Sequence, residues 1–172
     1  MQGDIPIVAA SDVCVITAAA NQGVAADLML AVRSVERGRP GKSVGNTDGT
    51  ADFNEPGLNS KTIEDLKRKG WDVNRMLNDG CYAMNAASFW MRSKLLDVRM
   101  SDAPLLARAA RYNSKTPRYN MQYQQRLERP LRTWACHLHH YWATPASQLF
   151  AVASEVMSEK ELNTCKPNKN PY

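Results

Sequence analysis

Glu36 closes the amphipathic run Ala25-Ala26-Asp27-Leu28-Met29-Leu30-Ala31-Val32-Arg33-Ser34-Val35-Glu36, and the breaker stretch Arg37-Gly38-Arg39-Pro40-Gly41 comes at once after it. A carboxyl group at that point stands where a packed helix meets a cleft. Val32 and Val35 beside it withdraw it from water and raise its pKa. A carboxylic acid that keeps its proton near neutral pH is the general acid that cleavage of a glycosidic bond requires. Taken alone, the same residue also reads as a solvated glutamate at a helix end, so its meaning depends on its companions in the chain.

Cys136-His137-Leu138-His139-His140 offers a different chemistry. Cys136, His137 and His140 can share one helical face and hold a metal. No H-E-x-x-H spacing is present, and an oxidised Cys136 could not serve as a thiolate ligand, so no metal and no cofactor are expected. Cys14, Cys81, Cys136 and Cys165 are widely spaced and include no C-x-x-C pair. An even number in a chain of this size fits two disulfides and an oxidising compartment, with three connectivities possible.

The elements that must position these groups are helical. The chain has 172 residues and a hydrophobic fraction of 44%, enough for one domain with a sizeable core. No run is long and apolar enough to span a bilayer. The net charge of +5 is spread over helix faces, with one cluster at Lys61, Lys67, Arg68 and Lys69 and another at Arg108, Arg111, Lys115 and Arg118. No nucleic-acid-reading module accompanies it, so nucleic acid is not an expected partner. Met1-Gln2-Gly3-Asp4-Ile5-Pro6 has neither the basic start nor the apolar core of a signal peptide, so the chain reads either as cytosolic or as a mature segment behind an added methionine, and the four cysteines favour the second.

Strand signals are nearly absent, which predicts an all-α fold. Ser11 or Asp12 caps a first helix that ends near Asn21-Gln22-Gly23, and the second helix delivers Glu36. Residues 37 to 59, rich in Gly, Asn, Asp and Pro, read as a long ordered loop or short hairpin forming one side of a cleft. Ser60 caps a helix ending at Gly70. Another helix runs from Tyr82 to about Leu96 with Ala83, Ala86, Ala87, Trp90 and Met91 buried, and one spans Ala103 to Arg111. Pro117 opens a helix with Tyr119, Tyr123 and Leu127 four apart. Pro130 restarts or kinks it on the way to Trp142, and a last helix covers Ala146 to about Met157. Trp134, Trp142 and Phe150 read as packing residues. Residues 1–10 read as an extension, 11–165 as the domain and 166–172 as a loose tail.

Within the loop, Asn46-Thr47-Asp48-Gly49-Thr50-Ala51-Asp52-Phe53-Asn54-Glu55-Pro56-Gly57-Leu58-Asn59-Ser60 is followed downstream by Ala110-Arg111-Tyr112-Asn113-Ser114, then by Tyr119 and Tyr123. This order resembles the lytic transglycosylases of conjugal-transfer and type IV secretion systems, similar in fold to goose-type lysozyme. That family has a helix-ending glutamate, a segment like N-x-D-G-x-x-D-x-G-x-M-Q-I-N-S, a Y-N motif and a later tyrosine. The resemblance runs from about Ala18 to about Leu127. It implies a lysozyme-like helical domain that cleaves the bond between N-acetylmuramic acid and N-acetylglucosamine in peptidoglycan. Glu36 falls on the single catalytic acid. Tyr112, Asn113, Leu58 and Asn59 fall on substrate-binding positions, and Tyr123 falls on the tyrosine that orients and desolvates the acid, although as a residue it also fits a core stripe.

The family pattern also implies a Cys14–Cys81 disulfide, which leaves Cys136–Cys165. It implies a periplasmic, exported protein whose partners are peptidoglycan glycan strands and proteins of a secretion or conjugation apparatus. Two departures stand out. Pro56-Gly57 replaces the Met-Gln pair, and Arg37 comes after the acid where serine is usual. Glu55 lies in the same segment, where it reads either as a solvated loop residue or as a second carboxylate that activates water, making the enzyme a hydrolytic muramidase. A catalytically weak peptidoglycan-binding scaffold would keep the fold and lose the cleft. Asp48 and Asp52 read as loop-forming residues that cap backbone N–H groups.

Overall fold

The computed structural model of the chain describes residues 6–142, 152–169 and 171. The fold is mostly helical and carries one small sheet. Helix α1 (Asp12–Asn21) begins at Ser11, whose Oγ accepts the Cys14 N–H at 3.1 Å. Helix α2 (Ala26–Glu36) is the central element: Leu28, Met29, Leu30, Ala31 and Val32 have no exposed surface. A helix apolar on so much of its circumference must be covered on several sides. It is packed by α1 and by α7 (Pro117–Tyr141).

Residues 37 to 59 form an antiparallel sheet of β1 (Ser43–Gly45), β2 (Ala51–Phe53) and β3 (Leu58–Asn59), in the order β1-β2-β3. The pairing sets Val44 opposite Asp52 and Phe53 opposite Leu58. The mostly helical expectation holds, and the ordered loop or short hairpin expected over residues 37 to 59 takes the form of this three-stranded sheet. Strands of two and three residues are too short to imprint an alternating pattern on the sequence. The first turn has Asp48 Oδ1 accepting Thr50 N–H at 3.0 Å, as its loop-forming role requires.

Helix α3 (Ser60–Arg68) is capped by Asn59 rather than Ser60, and Gly70 lies just beyond it at φ +91°. A short α4 (Val73–Asn78), too brief to show a helical period in the sequence, leads into α5 (Gly80–Leu95), capped by Asp79. Ala83, Ala86, Ala87 and Met91 of α5 are buried as expected, whereas Trp90 is only half-buried. Helix α6 (Leu105–Ala109) continues as a 3-10 turn through Tyr112. Helix α7 runs unbroken for 25 residues with Pro130 inside it, and α8 (Glu159–Thr164) carries a capping box at Ser158 and Glu161. Trp134 is buried, with its indole N–H donating to Ser34 Oγ at 2.9 Å, but Trp142 is 44% exposed. Phe150 and the first half of the helix expected from Ala146 to about Met157, residues 146–151, lie outside the described residues; of the second half only Val152 and Ala153 are helical, and residues 154–157 form a turn and bend.

Disulfides join Cys14 to Cys81 and Cys136 to Cys165. The first ties α1 to α5, and the second ties α7 to the end of α8. The extension is held to the domain at Val8, whose N–H donates to Asn78 C=O at 3.0 Å and whose C=O accepts the Gly80 N–H at 2.7 Å. At the other end His137 Nδ1 lies 2.9 Å from the Asn168 carbonyl oxygen. Among the described residues no helix is long and apolar enough to cross a membrane.

Candidate active site

Glu36 is the last residue of α2, and the two residues after it decide where its carboxyl goes. Arg37 takes a left-handed conformation at φ 53° and returns its N–H to the Arg33 carbonyl at 3.0 Å, so the helix stops there. Gly38 then passes so close to the sheet loop that a Cβ would collide with the Asn54 carbonyl oxygen. On the other side stands Gly57, at φ +61°, where a Cβ would come within 2.8 Å of Glu36 Oε2. The Pro56-Gly57 departure is therefore a fitted one: Gly57 has both the backbone angle and the bareness that the neighbouring carboxyl demands.

Two tyrosines complete the setting. The buried Tyr123 reaches from α7 and donates its hydroxyl to Glu36 Oε1 at 2.5 Å. Tyr112 donates its hydroxyl to the Pro56 carbonyl at 2.8 Å, and so holds the loop that carries Gly57. It touches the acid's support rather than the acid. Arg126, one turn beyond Tyr123, donates to the Val35 carbonyl at 3.2 Å and lies 5.6 Å from the centre of the Tyr123 ring.

The electrostatics are set by this packing. Burial pushes the Glu36 carboxyl up to about 7, against the Tyr123 hydrogen bond and the Arg126 charge, which hold it down; Asp52 adds to the rise. The Tyr112 and Tyr123 phenols are pushed well above their ordinary value, by burial first and by the Glu36 charge next. Both remain hydrogen-bond donors throughout the neutral range.

Glu36 opens onto a cleft of about 410 Å³. Asp52, Asn59 and Thr62 stand on the sheet and α3 side, and Trp90, Tyr112, Asn113, Ser114 and Tyr119 face them. Asn59 also donates to Asp52 Oδ1 at 2.9 Å and to Thr50 Oγ1 at 3.0 Å, so the sheet wall is tied together by side chains. Leu58 contributes to the floor while remaining 1% exposed. Trp90 is held from behind by Lys94, whose Nζ lies 3.5 Å from the ring centre. Burial, followed by the charges of Lys115 and Arg111, lowers the Lys94 ammonium to about 8. A second recess of about 270 Å³ meets the first at Glu36, Asp52 and Gly57.

No protein-family model, curated protein or solved structure matches this chain. The chemistry open to the site is that of its own residues.

Of the residues singled out in the sequence, Glu36, Leu58, Asn59, Tyr112 and Asn113 border the main cleft, and Tyr123 bonds the acid from within the core. Glu55 borders neither recess. Its Oε2 accepts the Ala10 N–H at 2.6 Å and occupies the space a Cβ on Gly80 would need, so it anchors the N-terminal extension. Three features carry no signal in the sequence: Asp52 as a cleft carboxylate, Arg126 as a charge behind the acid, and Trp90 and Tyr119 as cleft rings. Asp52 bonds the side chains of Asn46 and Asn59 rather than capping a backbone N–H. At the far end of the molecule Cys136 Sγ, Cys165 Sγ and a His140 ring nitrogen lie within 4.8 Å of one another, but both sulfurs are spent in their disulfide.

A protonated carboxyl facing a cleft walled by amides, hydroxyls and exposed aromatic edges suits a carbohydrate. Rings cover the apolar faces of sugars, and amides and hydroxyls bond their hydroxyl groups.

Proposed function

We propose that this chain is a peptidoglycan lytic transglycosylase, acting on the β-1,4 bond between N-acetylmuramic acid and N-acetylglucosamine. The observation that carries the reading is the single carboxyl of Glu36, held by Tyr123 and by the Gly57 backbone, with its pKa near 7 at the edge of a polar cleft. The ordered resemblance of Glu36, the loop, Tyr112-Asn113 and Tyr123 to that enzyme family points the same way.

In this reading Glu36 gives its proton to the glycosidic oxygen as the bond from C1 to that oxygen breaks, releasing the N-acetylglucosamine hydroxyl. The resulting carboxylate takes the proton of the muramyl O6 hydroxyl as O6 bonds to C1. The product end is a 1,6-anhydro sugar, no water is consumed, and Glu36 is again protonated. One carboxyl serves both steps because the second nucleophile belongs to the substrate. Tyr123 steadies the carboxylate between the steps, and Tyr112 keeps the Pro56-Gly57 backbone against it. The two disulfides suit work in an oxidising compartment, here the periplasm, where the enzyme would open the wall locally for a secretion or conjugation apparatus.

Asp52 supports a second reading, a hydrolytic muramidase, because of the two aspartates that border the cleft with Glu36 it is the one whose charge acts on the Glu36 carboxyl. Glu55, occupied at Ala10, is poorly situated for that role.

Digestion of purified peptidoglycan, with mass spectrometry of the soluble ends, tests the proposal. Anhydro-muramyl ends are expected. Reducing ends would shift the assignment to hydrolysis and put Asp52 under test. Binding to the wall with no release, by folded protein, would overturn the enzymatic reading in favour of a scaffold.

A further inference from the structure

The two recesses that meet at Glu36 differ in charge. The larger one is bordered by Glu36, Asp48 and Asp52 and by no cation. The smaller shares Glu36 and Asp52 with it and adds three cations, Arg37, Arg39 and Lys42, together with Val44. None of these three cations is paired with a carboxylate among the described residues; the Arg37 side chain donates to the Ser34 carbonyl, at 3.4 Å. Three like charges along one short turn repel one another and gain from an anion that bridges them.

The turn that presents them is ordered by its backbone. Lys42 N–H donates to the Arg39 carbonyl at 3.1 Å, Gly41 N–H to Leu77 at 2.8 Å, and Asn54 N–H to Lys42 at 3.2 Å. Gly38 is packed against Asn54. The chain direction of the three side chains is therefore fixed before any ligand arrives, which lowers the ordering cost of binding.

Resting on the peptidoglycan reading, we propose that this recess is a subsite for the anionic peptide carried on muramic acid. Arg39 and Lys42 take its free carboxylates, and Val44 contacts its alanyl methyl groups. The glycan runs through the cation-free, amide- and ring-walled cleft while the peptide leaves on the side of Glu36 that carries the cations. Substrate choice is then set by the charge of the peptide as well as by the sugar, and amidation of the peptide carboxylates weakens recognition.

Isothermal titration at two salt concentrations tests this with three soluble probes. The first is the disaccharide N-acetylglucosaminyl-N-acetylmuramyl tetrapeptide with free carboxylates, which lacks the cleavable linkage. The second is the same compound with its carboxylates amidated, and the third is a chito-oligosaccharide. The free-acid probe is expected to bind about five- to tenfold tighter than the amidated one, the order that a few exposed charge pairs supply together, and the margin should shrink as salt rises. In R39Q/K42Q, with an unchanged melting curve, the margin should vanish. Equal affinity of wild type for the free and amidated probes would overturn the subsite while leaving the peptidoglycan reading standing. A margin that survives in R39Q/K42Q would remove the subsite from this recess. Binding of none of the three probes would overturn both.

Discussion

Helix α2 carries an acidic residue near each end, and the two teach different lessons. Asp27, in its first turn, has no exposed surface, and burial raises its carboxyl to about 8. Its Oδ1 accepts the Leu28 N–H at 2.9 Å, while Oδ2 has no partner among the described residues. Glu36, in the last turn, is raised to about 7 by the same cause, but it borders a cleft and receives a phenolic hydrogen bond. A raised pKa alone does not mark an active site: Asp27 is closed to any substrate, and Glu36 is not. Access and a positioned donor separate the catalytic candidate from a buried liability.

The largest separation between them should come from removing each charge in turn. Glu36→Gln keeps the shape and deletes the transferable proton, so release of soluble muropeptides should fall by about 10³-fold or more. Melting temperature should hold or rise, because the carboxyl's folded pKa lies above its unfolded value and its ionisation costs stability as pH rises from about 4.5 through 7. Activity comparable to wild type in this variant would end the assignment.

Asp27→Asn should leave cleavage intact and change stability instead. An acid whose folded pKa is raised contributes its full share only below the unfolded value, and that share is lost as pH climbs from about 4 to about 8. The variant should therefore be more stable than wild type at pH 8, with the gain shrinking toward pH 4. Denaturant titrations at the two pH values check this; a gain independent of pH would mean that Asp27 is not neutral in the folded protein.

The contrast between these two residues is partly legible in the sequence. Periodicity marks the helix that ends at Glu36 and its apolar positions Val32 and Leu28, and the breaker after Glu36 sets its end. Asp27 gives no signal, because an acid in the first turn of a helix ordinarily faces water and favours the dipole there. The small sheet is hidden by its short strands. With it goes the position of Asp52, whose side-chain direction depends on a register that Thr50 and Asn59 stabilise from outside β2. Glu55 misleads for a related reason: nothing local says that a loop glutamate will be taken up by the backbone of Ala10, 45 residues earlier. Nothing local in the sequence says why a glycine stands at position 57, and the approach of the Glu36 carboxyl explains it.

Tyr123→Phe sharpens the comparison by making Glu36 more like Asp27. The phenolic hydrogen bond favours the charged carboxylate, so its loss should raise the Glu36 pKa and loosen the carboxyl's orientation. Cleavage should fall roughly 10- to 100-fold, the worth of one hydrogen bond to a charged group. The descending alkaline limb of the pH–rate profile should move to higher pH. A fall in rate with no movement of that limb would mean that Tyr123 serves packing alone.

The smallest effects come from the two charges that face Glu36 without touching it. The acid must be protonated to start the reaction, so the rate falls as pH rises through its pKa, near 7. Asp52 raises that pKa and Arg126 lowers it. Asp52→Asn should then shift the alkaline limb to lower pH, and Arg126→Gln should shift it to higher pH. Because both act through space, both shifts should shrink in high salt. Opposite shifts would show that Glu36 itself titrates in the profile, which no loss-of-activity variant can show. Should Asp52→Asn instead abolish cleavage at every pH, Asp52 would be a reacting group. The second carboxylate of a hydrolase would then have been found in β2, facing the cleft, rather than at Glu55.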